Sequence, residues 1–474
     1  MTDRLHELGN ASIPRLLIRY STPAMIAMAV NSMYNLVDTI FVGYGAGSMA
    51  LAALTVSWPV QMVGVALGMS VGIGTASVIS RSLGAGDHAR AYRVAGTAFV
   101  TIGVLSLTIM ALGLIFLRPL LTVFGATEAI MPDAVAYLST VLLGTFFMAS
   151  SICANNIVRS EGAAKVAMSS MITGAIVNII LDPIFIFGLD MGIRGAATAT
   201  VIANISTFTF LAIYFITGRS ILEIKPRDLI PDLKELPEVF KIGSATFFSI
   251  IVGSLIAIPV NNLIVHYGDD IHLAICGVAN RVHTFFFLPI FGLTQGLQPI
   301  IGFNYGAQKF SRVKEVVYTA TKYATILSFI AFFITMVFTG PVLRIFSPDV
   351  ALVNEGIPIV RILYLCMPFV GLQMVGGSFF QALGRARPAF MLTISRQILV
   401  LLPLIFIVPR FFGLTGLWAS FPTADFIATC ITGVWVWALI RGLGDDDPSD
   451  AIVEMDEQRE LRQAESSTQE TSDV

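Results

Sequence analysis

The sequence predicts an all-α polytopic membrane protein with twelve transmembrane helices arranged as two pseudo-symmetric six-helix lobes. Three observations predict this fold: an apolar composition, a series of bilayer-length apolar runs, and a repeat that relates the two halves. The 474 residues are 55% hydrophobic and 13% charged, with a mean hydropathy of +0.79. A typical soluble domain has about 25% charged residues, so an ordinary soluble protein is excluded.

Twelve apolar runs approach or exceed the roughly 20 residues that a helix needs to cross the hydrocarbon core. In the first half they are 15–43, 50–82, 90–117, 130–155, 166–188 and 192–217; in the second half they are 237–266, 273–303, 313–338, 353–381, 390–411 and 415–442. The first run has no small-residue cleavage site before it, so we expect it to remain as the first span.

Basic residues are distributed unevenly between alternate loops. One set of loops and both chain ends carry most of the Lys and Arg, whereas the alternate loops carry only Arg118, Arg194, Arg344 and Arg410. Cytoplasmic loops carry the excess of positive charge in membrane proteins. We therefore expect a multi-pass protein of the cell (cytoplasmic) membrane with both termini cytoplasmic.

The chain divides into four predicted segments. They are an N-lobe with helices 1 to 6 (1–217), a cytoplasmic inter-lobe linker (218–240), a C-lobe with helices 7 to 12 (241–442) and a disordered acidic cytoplasmic tail (443–474). The linker is the longest polar stretch before the tail and holds Pro226, Pro231 and Pro237. The tail has no apolar pattern and is rich in Asp and Glu, which is typical of disorder.

A shift of about 222 residues places the second half on the first. Gly74 falls on Gly296, Gly84 on Gly306, and residues 162–165 fall on residues 384–387. Because each half has six spans, both halves begin on the same side, and the repeats are parallel about an axis along the membrane normal. Two such lobes leave a central cleft, which is a usual place for substrate.

Ionisable groups inside membrane spans are costly and usually face a cavity or a partner. Asp38 in the first span, Asn178 and Asp182 in the fifth, and Thr200 in the sixth all fall about 8 to 15 Å below the predicted outer surface at about 1.5 Å rise per residue. Asn178 and Asp182 are four residues apart and share a helix face. We expect these four residues to form a cation-coupling site for a proton or Na⁺. The alternative is that they only tie helices together through hydrogen bonds.

Two prolines bear on this site. Pro183 follows Asp182 and removes a backbone donor, which frees a nearby carbonyl for a cation or water. Pro23 is a candidate bend in the first span, or else marks the start of that helix.

The second lobe lacks both carboxylates. Asn261 matches Asp38, and the positions that match Asn178 and Asp182 fall near Leu399 and Pro403. Arg396 and Asp425 lie on successive spans and are predicted to form an ion pair, chiefly a structural one. Candidates for the substrate cleft are Tyr34, Asn35, Asn261, Arg281, His283 and Phe286. Helix-end, satisfied polar, core or lipid-facing roles remain alternatives for the last three. We expect Cys153, Cys276, Cys366 and Cys430 to be buried free thiols.

With these residues in place, the sequence resembles the multidrug and toxic compound extrusion family over about residues 10 to 442. The resemblance depends on the runs YNLVD at 34–38, NIILDP at 178–183 and GIRGAA at 192–197. It implies an N-lobe cation site at Asp38, Asn178, Asp182 and Thr200. The tenth span holds Gln373 and no acid, and the seventh has only Glu238 at its cytoplasmic end. This pattern resembles the branch of DNA-damage-inducible and archaeal members, and disfavours a second cation site.

The resemblance implies a secondary active antiporter that exports cationic or amphipathic organic compounds in exchange for H⁺ or Na⁺ by alternating access. The alternative is a lipid-linked oligosaccharide flippase of the same superfamily, which would need a cationic cleft; Arg281, Lys322 and Arg396 are the candidates for it. An enzyme is not expected, because no metal cluster, activated nucleophile or cofactor motif is present in the sequence. We expect no cofactor beyond the coupling ion, no nucleic-acid partner, and a monomer in the bilayer that binds a small-molecule substrate.

Overall fold

The computed structural model describes residues 2–346 and 349–444, and the regular structure in these ranges is helical throughout. Among the described residues, ten helices are long and apolar enough to cross a membrane, and two bent helix pairs raise the number to twelve if each pair is one span. The predicted all-α polytopic fold is confirmed. Most of the predicted acidic tail, from residue 445 onward, lies outside the described residues.

The spans are labelled α1 to α12 in chain order. In the first half they are α1 (Ile13–Gly47), α2 (Met49–Gly84), α3 (His88–Ile115), α4 (Met131–Leu143 with Thr145–Ser160), α5 (Ala164–Gly188) and α6 (Ile193–Ile216). In the second half they are α7 (Leu236–Tyr267), α8 (Ile271–Gly306), α9 (Phe310–Val337), α10 (Val350–Leu363 with Met367–Ala382), α11 (Ala386–Ile407) and α12 (Pro409–Gly442). Shorter helices are Thr2–Asn10, Leu117–Val123 and Thr339–Phe346, with a 3₁₀ turn at Pro226–Leu229.

Breaks in the helices occur in matching spans of the two halves. The fourth and tenth spans bend by 49° and 48°. The fifth and eleventh each contain a π-helix, Ile184–Gly188 and Ser395–Leu401. Gly47 separates α1 from α2 with φ 83°, a conformation that glycine adopts without a steric penalty. The bends therefore fall at matching residues, whereas the two π-helices lie in matching spans but at different turns.

Pro23 lies inside α1, which begins at Ile13, ten residues earlier. The interpretation of Pro23 as a helix start is wrong. The first turn of the helix is instead formed by Ile13 and Pro14, and proline is well tolerated there because no intrahelical donor is needed.

The two halves share a hydrophobic core at one end only, the end that carries the basic loops. The largest core cluster draws residues from both halves, from Leu8 to Leu443. A second cluster contains buried residues between 42 and 197 only, and a third contains buried residues between 260 and 424 only. At the basic end, Arg81 Nη2 also lies 2.8 Å from Glu238 Oε1, and the Ser77 hydroxyl donates to the Gln381 carbonyl at 2.6 Å. The lobes are thus packed together at the basic end, whereas each has its own core at the other end.

Helices α2 and α8 cross with backbone contact at this end. A methyl group built on Gly84 would lie 2.0 Å from the Phe303 carbonyl oxygen, and one built on Gly306 would lie 2.0 Å from the Arg81 carbonyl oxygen. Both pairs obey the same 222-residue shift. The crossing is therefore symmetric, and only glycine allows the backbones to approach this closely.

The segment after α6 is attached to the first lobe by a buried carboxylate. Glu161 is fully buried; its Oε2 accepts from the Ser220 hydroxyl at 2.6 Å and from the Ile221 amide at 2.8 Å. The Tyr214 hydroxyl donates to its Oε1. Burial raises the pKa of the Glu161 carboxyl, and these hydrogen bonds oppose the rise. Because α7 begins at Leu236, residues 236–240 of the predicted linker are helical.

Candidate functional site

Asp38 and Asp182, from α1 and α5, face each other. Asp182 is fully excluded from solvent, Asp38 is half-buried, and the two carboxyl groups lie close enough to interact directly. Asp38 Oδ1 and Asp182 Oδ2 are both buried without a hydrogen-bond donor. The two carboxylates thus meet, as the sequence predicts.

Asn178 completes the acidic group from one turn earlier on α5. Its Nδ2 donates to Asp182 Oδ1 at 3.3 Å, as the four-residue spacing predicts. Its Oδ1 is buried and, like the two carboxylate oxygens, has no donor. Three acceptor oxygens from three residues are therefore desolvated without a partner. Such groups are rare in folded proteins and each needs an explanation, such as a bound ion.

Two tyrosines flank the carboxylates. Tyr34, one turn before Asp38 on α1, was a predicted cleft residue and interacts electrostatically with both acids. Tyr137 on α4 does the same and lies beside Gln61 of α2. Tyr137 and Gln61 were missed by the sequence analysis. The sequence shows that both are polar residues inside apolar runs, Tyr137 in 130–155 and Gln61 in 50–82. It does not show which way either side chain points.

Thr200 is not joined to the other three residues by a hydrogen bond. Its side chain is half-buried on α6, and within the described residues it makes no side-chain hydrogen bond. Asn35 is exposed and donates to the Asn31 carbonyl of its own helix at 2.8 Å. Its place in the cleft therefore stays a prediction, as does the place of Thr200 in the cation site.

The donor set suits a proton or a small hard cation. Carboxylate and amide oxygens are hard ligands, and a buried carboxylate pair strongly favours gaining positive charge in the form of a proton or an ion. Within the described ranges, no group of three or more His, Cys, Asp and Glu side chains is arranged to hold a metal ion. The arrangement of Asp38, Asn178 and Asp182 fits Na⁺ or H⁺ better than a transition metal.

The second lobe holds the predicted ion pair. Arg396 Nε of α11 lies 2.5 Å from Asp425 Oδ1 of α12, which confirms the pairing. His283 of α8 stacks on Phe287 with ring centroids 5.1 Å apart. Among the other cleft candidates, Asn261 and Arg281 are exposed and Phe286 is half-buried.

The four cysteines are free, as predicted. Only Cys153 and Cys276 are buried, however. Cys366 is half-buried because it lies at the bend of α10, and Cys430 is exposed on α12. The prediction of burial is wrong for these two.

A buried arginine at the junction between the lobes was also missed. Arg159 of α4 has 7% of its surface exposed, and its Nη1 donates to Gln295 Oε1 of α8 at 3.0 Å. Its Nη2 contacts the sulfur of Met171 at 3.4 Å. Both partners are neutral, and no carboxylate of the described residues pairs with it. Arg159 lies four residues after the end of the apolar run 130–155, so the sequence analysis placed it among the basic residues of a loop.

The MatE family model matches the chain twice, at residues 23–184 and 245–407. The two matches cover most of the chain and fall one in each half. The chain belongs to the MatE family, the multidrug and toxic compound extrusion family.

Curated relatives agree with this membership. The multidrug export protein MepA of Staphylococcus aureus (strain MRSA252) is 26% identical over 92% of this chain and 96% of its own length. MepA of Staphylococcus haemolyticus (strain JCSC1435) is 27% identical over 94% of this chain and 98% of its own length.

Two solved structures have the same fold. One is the MATE multidrug transporter DinF-BH in complex with rhodamine 6G, with 40% identity, a TM-score of 0.85, and coverage of 90% of this chain and 96% of that chain. The other is an outward-facing MATE family transporter of the MOP superfamily, with 28% identity, a TM-score of 0.88, and coverage of 93% and 99%. This MatE chain is accordingly a multi-pass membrane protein and a multidrug efflux transporter, not an enzyme. MatE transporters are ion-coupled antiporters.

Proposed function

We propose that this transporter exports cationic or amphipathic organic compounds in exchange for H⁺ or Na⁺, and that Asp38 and Asp182 form its coupling site. The observation that carries the proposal is the set of three buried acceptor oxygens without donors, Asp38 Oδ1, Asn178 Oδ1 and Asp182 Oδ2. A proton supplies a donor to this set, and Na⁺ supplies positive charge to all three oxygens at once. Either ion removes the cost of leaving them unpaired.

Ion occupancy is expected to shift the balance between the two lobe arrangements. Asp38 is on α1 and Asp182 is on α5, so ion binding links two helices that share a hydrophobic cluster at that end. A ligand shifts a conformational equilibrium only by its differential affinity for the two states. The coupling ion therefore favours the state in which α1 lies against α5, and its release frees α1 to move.

We infer the state of the transporter from the arrangement of the lobes. The basic loops and both chain ends lie at the end where the lobes are packed together. With this end in the cytoplasm, as the positive-inside rule predicts, the structure is closed to the cytoplasm and open outward. Both termini are then cytoplasmic, and residues 1–217 and 241–442 are the N-lobe and the C-lobe on either side of the cleft.

The N-lobe is proposed as the seat of coupling, as in the branch with DNA-damage-inducible and archaeal members. Support comes from Asp38, Asn178 and Asp182 meeting in one place, with Tyr34 and Tyr137 beside them. Thr200 is included in this site on the resemblance alone. DinF-BH, solved in complex with rhodamine 6G, is 40% identical to this chain, and this supports a planar organic cation as substrate.

The flippase alternative is less well supported by the charges of the C-lobe. Arg396 forms an ion pair with Asp425 at 2.5 Å, and Lys322 lies on another helix, α9. A lipid pyrophosphate would need several unpaired cations facing one cleft. Arg281, Lys322 and Arg396 come from three different helices and Arg396 is already paired with Asp425, so antiport is proposed as the function.

The test is efflux of a cationic dye from proteoliposomes under an imposed Na⁺ gradient or, separately, an imposed pH gradient. Wild type is expected to respond to one gradient, and Asp38→Asn and Asp182→Asn are each expected to abolish that response. Asp190→Asn is the matched control, because Asp190 is exposed at the end of α5 and asparagine tolerates its φ of 52°. Retention of gradient-driven efflux by either site variant would show that the pair does not couple transport.

A further inference from the structure

Arg159 is a buried cation at the junction between the lobes, and its surroundings are neutral. Its guanidinium bonds to the side-chain carbonyl oxygen of Gln295 and contacts the sulfur of Met171. No acidic side chain of the described ranges forms an ion pair or an electrostatic interaction with it. Glu161, two residues further on, points elsewhere and accepts from the Ser220 hydroxyl at 2.6 Å. Because an arginine keeps its proton in proteins, the chain leaves this charge without a counter-charge.

Several hydrogen-bond donors at this junction have no acceptor. A guanidinium has five N–H groups, and only Nη1 and Nη2 of Arg159 have a contact in the part of the chain that the structure describes. The amide nitrogen of the Gln295 side chain makes no hydrogen bond within the same residues. The acidic site of the N-lobe has acceptor oxygens without donors, whereas here donors lack acceptors. Such a group calls for a negatively charged partner.

A small cavity lies beside the guanidinium. Asn156 and Ser160 line it from the N-lobe, together with Arg159, and Gln295 and Gln298 line it from the C-lobe. These five residues are each only 2–7% exposed. None of them is acidic, and all carry N–H or O–H groups. The space is too small for an organic molecule, so a monatomic ion is the kind of ligand that suits it.

The equivalent position in the C-lobe carries no charge. By the 222-residue shift Arg159 corresponds to Gln381, in the second part of the other bent span, and Gln295 corresponds to Ile73. The Gln381 side chain is neutral and donates to the Thr246 hydroxyl at 3.1 Å. The shared scaffold therefore does not need a cation at this turn. Burying an ion without a partner is costly, so the arginine of the N-lobe indicates a partner from outside the chain.

We propose that Arg159 and Gln295 bind a small monovalent anion, such as chloride, at the junction between the lobes. Hydrogen bonds from a guanidinium to an anion are charge-assisted and strong. Because Arg159 belongs to α4 and Gln295 to α8, the site is complete only while the lobes are in contact at the basic end. A ligand that binds one state shifts the population toward that state. The anion therefore stabilises the arrangement that is closed at the basic end, whichever cation couples transport.

The first test measures binding through stability. The full-length protein is purified without chloride, and gluconate, which is too large for the cavity, is replaced by chloride at constant ionic strength and pH. Wild type is expected to show a midpoint temperature of thermal unfolding that rises with chloride, because a ligand of the folded state stabilises it. Arg159→Gln is expected to lose this rise, and Arg159→Lys, which keeps the charge, to retain part of it. Comparison with Arg159→Gln removes general salt effects.

The second test measures the effect on the lobes. Spin labels at Ala89 and Arg387, both exposed at the basic end, report the ratio of closed to open molecules. Chloride at ten times its dissociation constant is expected to raise this ratio about tenfold in wild type. It should move wild type toward Arg159→Gln, in which no buried charge opposes closure. Gln381→Leu is the matched control, because it removes a polar contact at the symmetric position without removing charge. It is expected to keep the chloride dependence.

The variants decide the outcome. Chloride dependence that is equal in wild type and Arg159→Gln, or absent from both, overturns the anion site. Loss of the dependence in Gln381→Leu as well as in Arg159→Gln also overturns it, since loosening of the junction would then be the cause. Neither result affects the antiport proposal, which is tested separately by gradient-driven efflux in Asp38→Asn and Asp182→Asn.

Discussion

Gly306→Ala is expected to open the basic end of the transporter. The added methyl group would lie 2.0 Å from the Arg81 carbonyl oxygen, whereas ordinary van der Waals contacts are 3.4–4 Å. The obstacle is a helix backbone and not a movable side-chain tip, so α2 and α8 must separate by about 1.4 Å or more at this point. Overpacking of this kind costs about 1–3 kcal/mol. Because Gly306 contacts the other lobe, that cost falls on the closed arrangement and not on the fold of either lobe.

The corresponding change in the ratio of closed to open molecules is about 5- to 150-fold. It can be measured by electron paramagnetic resonance distances between spin labels at Ala89 and Arg387, which are exposed at the basic end on opposite lobes. Wild type is expected to show a short distance, and Gly306→Ala an added population at longer distance. Gly277→Ala, on the same helix with no atom within 4 Å of the new methyl group, is the control. Identical distance distributions in wild type and Gly306→Ala would refute the reasoning.

Three further outcomes are expected. Burial raises the pKa of Glu161, so contact between Glu161 and residues 220–222 is most favourable at acid pH and weakens as the pH rises through the raised pKa. Hydrogen exchange of the amides of residues 221–222, corrected for intrinsic rates, should therefore lose protection over that pH range in wild type. It should not do so in Glu161→Gln. Arg159→Met removes a buried cation without an acidic partner, so the spin-label distances should shift toward the closed state, and a shift toward the open state would contradict this. Asp425→Asn leaves Arg396 without its counter-charge and should lower the midpoint temperature of thermal unfolding. Adding Arg396→Gln to this variant should recover most of the loss. Equal midpoint temperatures for the single and double variants would refute the pairing argument.

Much of the fold follows from the sequence because the bilayer constrains it so strongly. A span must be an apolar helix of a minimum length, so hydropathy alone locates the spans to within a few residues. The bends of α4 and α10 were not predicted, because the bent pairs read as single apolar runs. The length of α1 was underestimated by a few residues at each end for a similar reason, since Gly45 and Gly47 look like loop residues but are accommodated at the turn into α2.

The sequence predicted those residues of the candidate site that are unusually polar for a membrane span, and not the others. Asp38 and Asp182 stand out because carboxylates in apolar runs need a reason, and helical spacing then adds Asn178. Tyr137, on a different span, needed the tertiary structure, because sequence cannot give the rotation of one helix against another. Arg159 was assigned to a loop because basic residues near span ends normally are, and its burial depends on contact with the opposite lobe.

The symmetric crossing of α2 and α8 has the form of a homodimer interface contained in one chain. Residue 84 meets residue 303 and residue 306 meets residue 81, which is the reciprocal pattern of a twofold-related dimer. Duplication and fusion of a six-span ancestor would leave such a trace at the surface where both copies must still fit each other. Away from that surface the copies were free to diverge, and one now holds two carboxylates while the other holds an arginine with its counter-ion. The symmetric crossing of α2 and α8 can thus be controlled by two carboxylates that only the first half carries.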